Sequence, residues 1–216
     1  MVERDLRRYF KTKEEPTPSQ IQDISEEVAS GTGLEQGIGY KTSPEVLDEI
    51  IREIAVSTYY SSDFLSNTPW PNFGLIYDWG GKPSRRHKNS NRIVLAEASI
   101  DVKNPYGLIS FSPEYLSSIA DFMMGRYTYD SLTLNAEHPL PKTTAHENYH
   151  IFQYFNFPKT MEKYVEVAAS EGLSKWEKTR AERSARIFED VFQSASTCLY
   201  GGEHAWDSNA KIYIPK

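Results

Sequence analysis

The chain has 216 residues, of which 39% are hydrophobic and 25% charged, with 14 Tyr, 10 Phe and a net charge of −6. Such a composition suits one medium globular domain with its own core, and excludes a disordered chain and a broadly basic nucleic-acid surface. With Cys198 as the one cysteine, an intrachain disulfide and a cysteine-based zinc site are excluded as well.

The first residues, Met-Val-Glu-Arg-Asp-Leu-Arg-Arg, carry charge with no apolar run behind them. No signal peptide or membrane anchor is therefore expected, and the cytoplasm is the favoured compartment. A short charged helix is predicted over 3–12, broken by Glu14-Glu15-Pro16-Thr17-Pro18-Ser19. Ile21 and Ile24 stand at helical spacing within 19–29, and a Gly-rich link follows from Ser30 to Gly39. The link lacks the Gly-Lys-Ser/Thr ending of a phosphate loop. Residues 1–42 thus read as a helical extension and linker, and 43–216 as the main domain.

Ser43-Pro44-Glu45 starts a helix that carries Val46, Ile50 and Ile54 on one face. Residues 57–90 are rich in Tyr, Ser, Asn, Pro and Gly and are expected mostly as loop, with one strand near Phe73–Tyr77. The basic cluster Arg85-Arg86-His87-Lys88 in that stretch reads as a solvated loop. Strands are predicted at 91–103 and 106–111, paired as a hairpin through Asn104-Pro105. Ser112-Pro113-Glu114 starts a helix to about Arg126, and 127–140 is a connection. From Pro141 to Phe157 the pattern is apolar nearly all round, which marks a buried central helix. Helices over 159–170 and 174–196 complete a helix-rich α+β arrangement with a small sheet.

The central helix contains His146-Glu147-Asn148-Tyr149-His150, an H-E-x-x-H pattern. Two His four apart project from one helical face, one turn apart, so both rings can reach one zinc ion. Glu147, beside the first His but rotated away from the metal, can take a proton from a zinc-bound water. The plain alternative, two surface His and a solvated Glu, fits poorly with a helix that is otherwise strongly apolar.

This segment resembles the zincin metallopeptidases and, within them, the gluzincins. The likeness rests on His146 to Tyr154, in the form H-E-x-x-H-x-x-Q-Y, followed by Glu182-Arg183-Ser184-Ala185 and Phe188, and spans about 90–200. The metzincin pattern is excluded, because Asn156 stands where a third His would be. The resemblance implies a zinc-dependent peptidase with Glu147 as general base and then acid, a peptide substrate, and a strand beside the motif helix that binds substrate along its edge. It also implies a Glu on a later helix as third ligand. Of Glu166, Glu171, Glu177, Glu182 and Glu189, the first choice is Glu182, at the margin of the stripe Ala181, Ala185, Phe188, Phe192 and Ala195. Glu189, two turns along that margin, comes next, then Glu166 and Glu171. Many gluzincins carry an acid after the Ala that holds a ligand His; here that place is Arg186, so this support is in question.

Gln153 shares the face of the two His and could touch a ligand or simply pack. His204 and Tyr200 are candidate donors to the oxyanion, and the tail from Gly201 to Lys216 could fold back over the cleft. The rival reading keeps the metallopeptidase scaffold as a non-catalytic zinc-binding or partner-binding protein. It calls for a closed site with four protein ligands, whereas an enzyme keeps one position open.

Overall fold

The structure, a computed structural model, describes residues 6, 8–10, 12–31, 42–66, 74–78, 94–101, 106–170, 173–196, 204–207 and 212–215. Helical residues at 6, 8–10 and 12 are followed by α1 (Pro18–Ala29) and α2 (Pro44–Ser66). Strands β1 (Gly74–Asp78), β2 (Ala96–Asp101) and β3 (Tyr106–Phe111) come next, and then α3 (Pro113–Met123), α4 (Tyr129–Glu137), α5 (Leu140–Asn156), α6 (Pro158–Ser170), α7 (Leu173–Trp176) and α8 (Arg180–Ser196). A terminal hairpin pairs β4 (His204–Asp207) with β5 (Ile212–Pro215) antiparallel. The fold is helix-rich α+β, and among the described residues no helix is long and apolar enough to cross a membrane.

Several boundaries differ from the sequence expectation, each for a local reason. The stretch 57–66, expected as loop, is helical instead, because α2 continues through Ser57, Thr58 and Ser61, which are buried. Ser61 donates its hydroxyl to the Ser57 carbonyl at 2.7 Å, and Ser57 donates to the Pro141 carbonyl at 2.8 Å. Hydroxyls that would favour loop in water are thereby satisfied inside a helix pair. The connection expected at 127–140 contains α4, started by Thr128, whose hydroxyl accepts from the Ser131 amide while the Ser131 hydroxyl accepts from the Thr128 amide. The long last helix is two, because Thr179 accepts from the Glu182 amide at 3.2 Å and starts α8 afresh. The basic cluster at 85–88, the Asn104-Pro105 turn and Cys198 lie outside the described residues.

The sheet has the order β1-β3-β2. β2 and β3 are antiparallel, as the hairpin expectation requires, with Ala98 opposite Ile109, and β1 adds parallel to β3, with Ile76 beside Leu108. Ala98, Ile109 and Phe111 join Ile50, Ile54, Leu116, Ile119 and Ile151 in one apolar core. Leu6, Phe10, Tyr60, Ala145, Phe152, Phe188 and Phe192 form a second. Helix α5 runs between the two cores, packed against α2, α8 and β2.

Gly107 sets how closely β3 approaches α5. A Cβ at this buried position would stand 2.6 Å from Cγ2 of Ile151, a branched side chain with little rotamer freedom in a helix. Gly107→Ala should therefore destabilise the protein by about 1–3 kcal/mol through overpacking, read as a lower midpoint in denaturant unfolding. An unchanged midpoint would mean that sheet and helix separate freely.

Candidate metal centre

The cluster is assembled from both ends of the α5–α8 contact. On α5, the rings of His146 and His150 lie one turn apart, with centroids 4.6 Å from each other. On α8, Glu182 sits in the first turn, which the Thr179 cap positions. Small residues, Ala145 on α5 and Ala181 and Ala185 on α8, are fully or almost fully buried and allow the two helices close approach.

Oε2 of Glu182 is 3.3 Å from Nε2 of His150 and 3.6 Å from Nε2 of His146. Two ligand atoms each about 2.0–2.1 Å from a tetrahedral ion stand about 3.3–3.4 Å apart. The spacing between carboxylate and imidazoles therefore already matches a shared ion. Nε2 of His150 and Oε2 of Glu182 are buried, and among the described residues neither has a hydrogen-bond partner. Buried polar atoms without partners are costly, and a cation between them would satisfy both. His146, His150 and Glu182 are the group of ligand-type residues close enough to hold one metal ion among the described residues.

The opposite edge of each imidazole is fixed. Nδ1 of His146 meets Oε2 of Glu189 at 2.5 Å, and Lys142 bridges Glu189 at 3.5 Å and Asp190 at 2.8 Å. Nδ1 of His150 meets Oε1 of Gln153 at 2.8 Å, while Nε2 of Gln153 donates to the Ala181 carbonyl at 3.1 Å. Both contacts suit Nδ1–H donors, so that with an ion in place the two Nε2 lone pairs would face it beside Glu182. The ring of Tyr164 packs on His150 with centroids 5.1 Å apart and on Trp176 at 5.9 Å.

Electrostatics follow from this crowding of charge under little water. Burial pulls the pKa of His146 down, but the Glu182 and Glu189 carboxylates outweigh it and push it up to about 10. Burial would raise Glu182, yet the two imidazoles hold its carboxyl well below the usual range. Glu189 is lowered against its burial by His146, then Lys142 and Arg186. Glu147, also buried, is raised by desolvation, with His146 and His150 opposing.

The sequence candidates thus fall in distinct places. His146, His150 and Glu182 come together, and Glu147 lies buried beside them on the same helix. Glu189 backs His146, the role left in question by Arg186 at the position after Ala185. Gln153 secures His150 and does not merely pack. Glu166 is exposed, Glu177 pairs with Arg186, and Glu171 and Tyr200 lie outside the described residues. His204 lies in β4, whose described features are its backbone and its pairing with β5, and β5 lies beside α4. Tyr164 was not singled out in sequence, since nothing in its spacing links α6 to the motif. No family model, curated protein or solved structure matches the chain.

A metal bound here would compete with the proton that the neighbouring carboxylates favour on His146. A raised pKa means the metal-free site keeps that proton up to about pH 10, so apparent metal affinity should rise with pH throughout the neutral range. Calorimetry in buffers of different ionisation enthalpy should report release of about one proton per ion at pH 7. Zero release would remove His146 from the ligand set or show it neutral beforehand.

Proposed function

We propose that the chain is a zinc-dependent peptidase of the gluzincin type, with a zincin-like arrangement of sheet and motif helix. The observation that carries this reading is the convergence of two Nε2 atoms and one carboxylate oxygen, at 3.3 and 3.6 Å, from a helix bearing H-E-x-x-H and a later one. Two imidazoles and a carboxylate form a donor set suited to zinc. Three protein ligands, the number found among the described residues, leave a position for water or substrate, and this favours an enzyme over a closed structural site.

Zinc in this position supplies Lewis acidity toward both a water molecule and the scissile carbonyl. Glu147 is rotated by about 100° from His146, so it does not share the ligands' direction. It accepts the proton of the attacking water and passes it to the leaving amine, and its burial makes it a stronger base than an exposed carboxylate. Glu189 and Gln153 keep the two imidazoles in the tautomer that offers Nε2. Substrate lies extended along β2, an outer strand of the β1-β3-β2 sheet that packs against α5. Tyr200 and His204 of the tail, and the hydroxyl of Tyr164 whose ring lies on His150, are the groups that would donate to the oxyanion.

Elemental analysis of purified protein should find about one zinc per chain, lost in His146→Ala. Chelation should lower the melting temperature, because the metal binds the folded state alone. Glu147→Gln should retain zinc and lose about 10²–10⁴-fold in the rate of peptide cleavage. Equal rates in variant and parent would remove the general-base role, and loss of zinc in Glu147→Gln would make that residue a ligand or support. Glu182→Ala should weaken zinc binding far more than Glu166→Ala or Glu189→Ala.

A further inference from the structure

The two oxygens of Glu182 have different surroundings. Oε1 accepts a hydrogen bond from Nε–H of Arg186, one turn along α8, at 2.9 Å. Oε2, facing the two imidazoles, has no hydrogen-bond partner among the described residues. The Arg186 side chain is 45% exposed, and its Nη2 reaches back to Glu177 at 3.8 Å, so the guanidinium spans the surface edge of the cluster while its Nε–H points inward.

We propose that Arg186 is a positioning residue that makes Glu182 a one-oxygen metal ligand: by holding Oε1, it turns Oε2 alone toward the ion. The proposal rests on the metal reading above. A free carboxylate can chelate an ion through both oxygens, which raises the coordination number and fills the position that water or substrate needs. With one oxygen committed to Nε–H, that mode requires breaking a charge-assisted hydrogen bond. Arg186 therefore keeps the ion four-coordinate by controlling the geometry of its acid ligand, without touching the ion.

Substitution can separate the hydrogen bond from the charge. In Arg186→Gln, the side-chain amide nitrogen is as many bonds from the backbone as Nε, so a donor is kept and the charge removed. Arg186→Met has the same reach with neither donor nor charge, and Arg186→Ala is a second variant should Met disturb packing. Cobalt(II) is the probe, because four-coordinate cobalt absorbs visible light more strongly than five-coordinate cobalt.

The expected result is a four-coordinate spectrum in the parent and in Arg186→Gln, and a weaker, shifted spectrum in Arg186→Met and Arg186→Ala. Zinc affinity from chelator competition should fall about 10–100-fold in the Met and Ala variants, as for loss of other groups that orient a ligand. It should change less than about fivefold in Arg186→Gln, the size expected of a screened surface charge. If Met and Ala keep the parent's spectrum, or Gln shifts as they do, the positioning role is overturned while the metal site stands. A parent that takes up neither cobalt nor zinc overturns the metal reading, and this inference with it.

Discussion

An ionised carboxylate in an apolar interior is among the costlier groups a fold can hold, and Glu182 is 1% exposed. It is tolerated because Oε1 accepts from the Arg186 guanidinium while Oε2 lies beside the His146 imidazole, whose pKa is raised. Those partners sit on two helices that must dock in one register. Slide α8 along α5 by one turn, about 5.4 Å, and Glu182 would lose both imidazoles. The pairing of Glu182 with the imidazoles is thus tied to the register in which the two helices dock.

Apolar contacts set the distance at which this selection acts. The ring of Tyr149 stacks on Phe188 with centroids 4.7 Å apart, next to the same α5–α8 contact that holds His146 against Glu189. On the far side of α5, Asn148 donates to the Ser61 hydroxyl at 2.8 Å and ties the motif helix to α2. Gly107 lets β3 press on Ile151, a residue next to His150 in sequence. The motif helix is thereby gripped from three sides, and its two imidazoles inherit that rigidity.

Much of this was legible in sequence where a short period governs it. The four-residue spacing of His146 and His150 identifies a shared face, and the stripe through Ala181, Ala185 and Phe188 singles out Glu182. The role of Glu189 was not legible, although its seven-residue offset from Glu182 puts it on the same margin, because which acid meets a metal and which backs a His depends on how the helices dock. Expected and observed boundaries differ where hydroxyl residues are satisfied within helices. Ser57, Thr58 and Ser61 look like loop, yet they are buried in a helix. Thr128 with Ser131, in place of the commoner Glu or Gln, hides a capping box. Thr179 follows a run of good helix formers, so the break before α8 carries no strong signal.

Phe10 packs between Tyr60 of α2 and Phe192 of α8, with ring centroids 5.5 and 5.4 Å away. Phe10 and Phe192 are 182 residues apart in sequence, so this cluster cannot close during synthesis until α8 has left the ribosome. Until then Phe10 and Phe64 have each other's elements to pack on but lack the Phe192 and Phe188 rings of α8, so part of their apolar surface stays exposed. The same delay applies to Glu182, which emerges well after the two His it must meet, so the metal centre and the aromatic clasp both wait on α8.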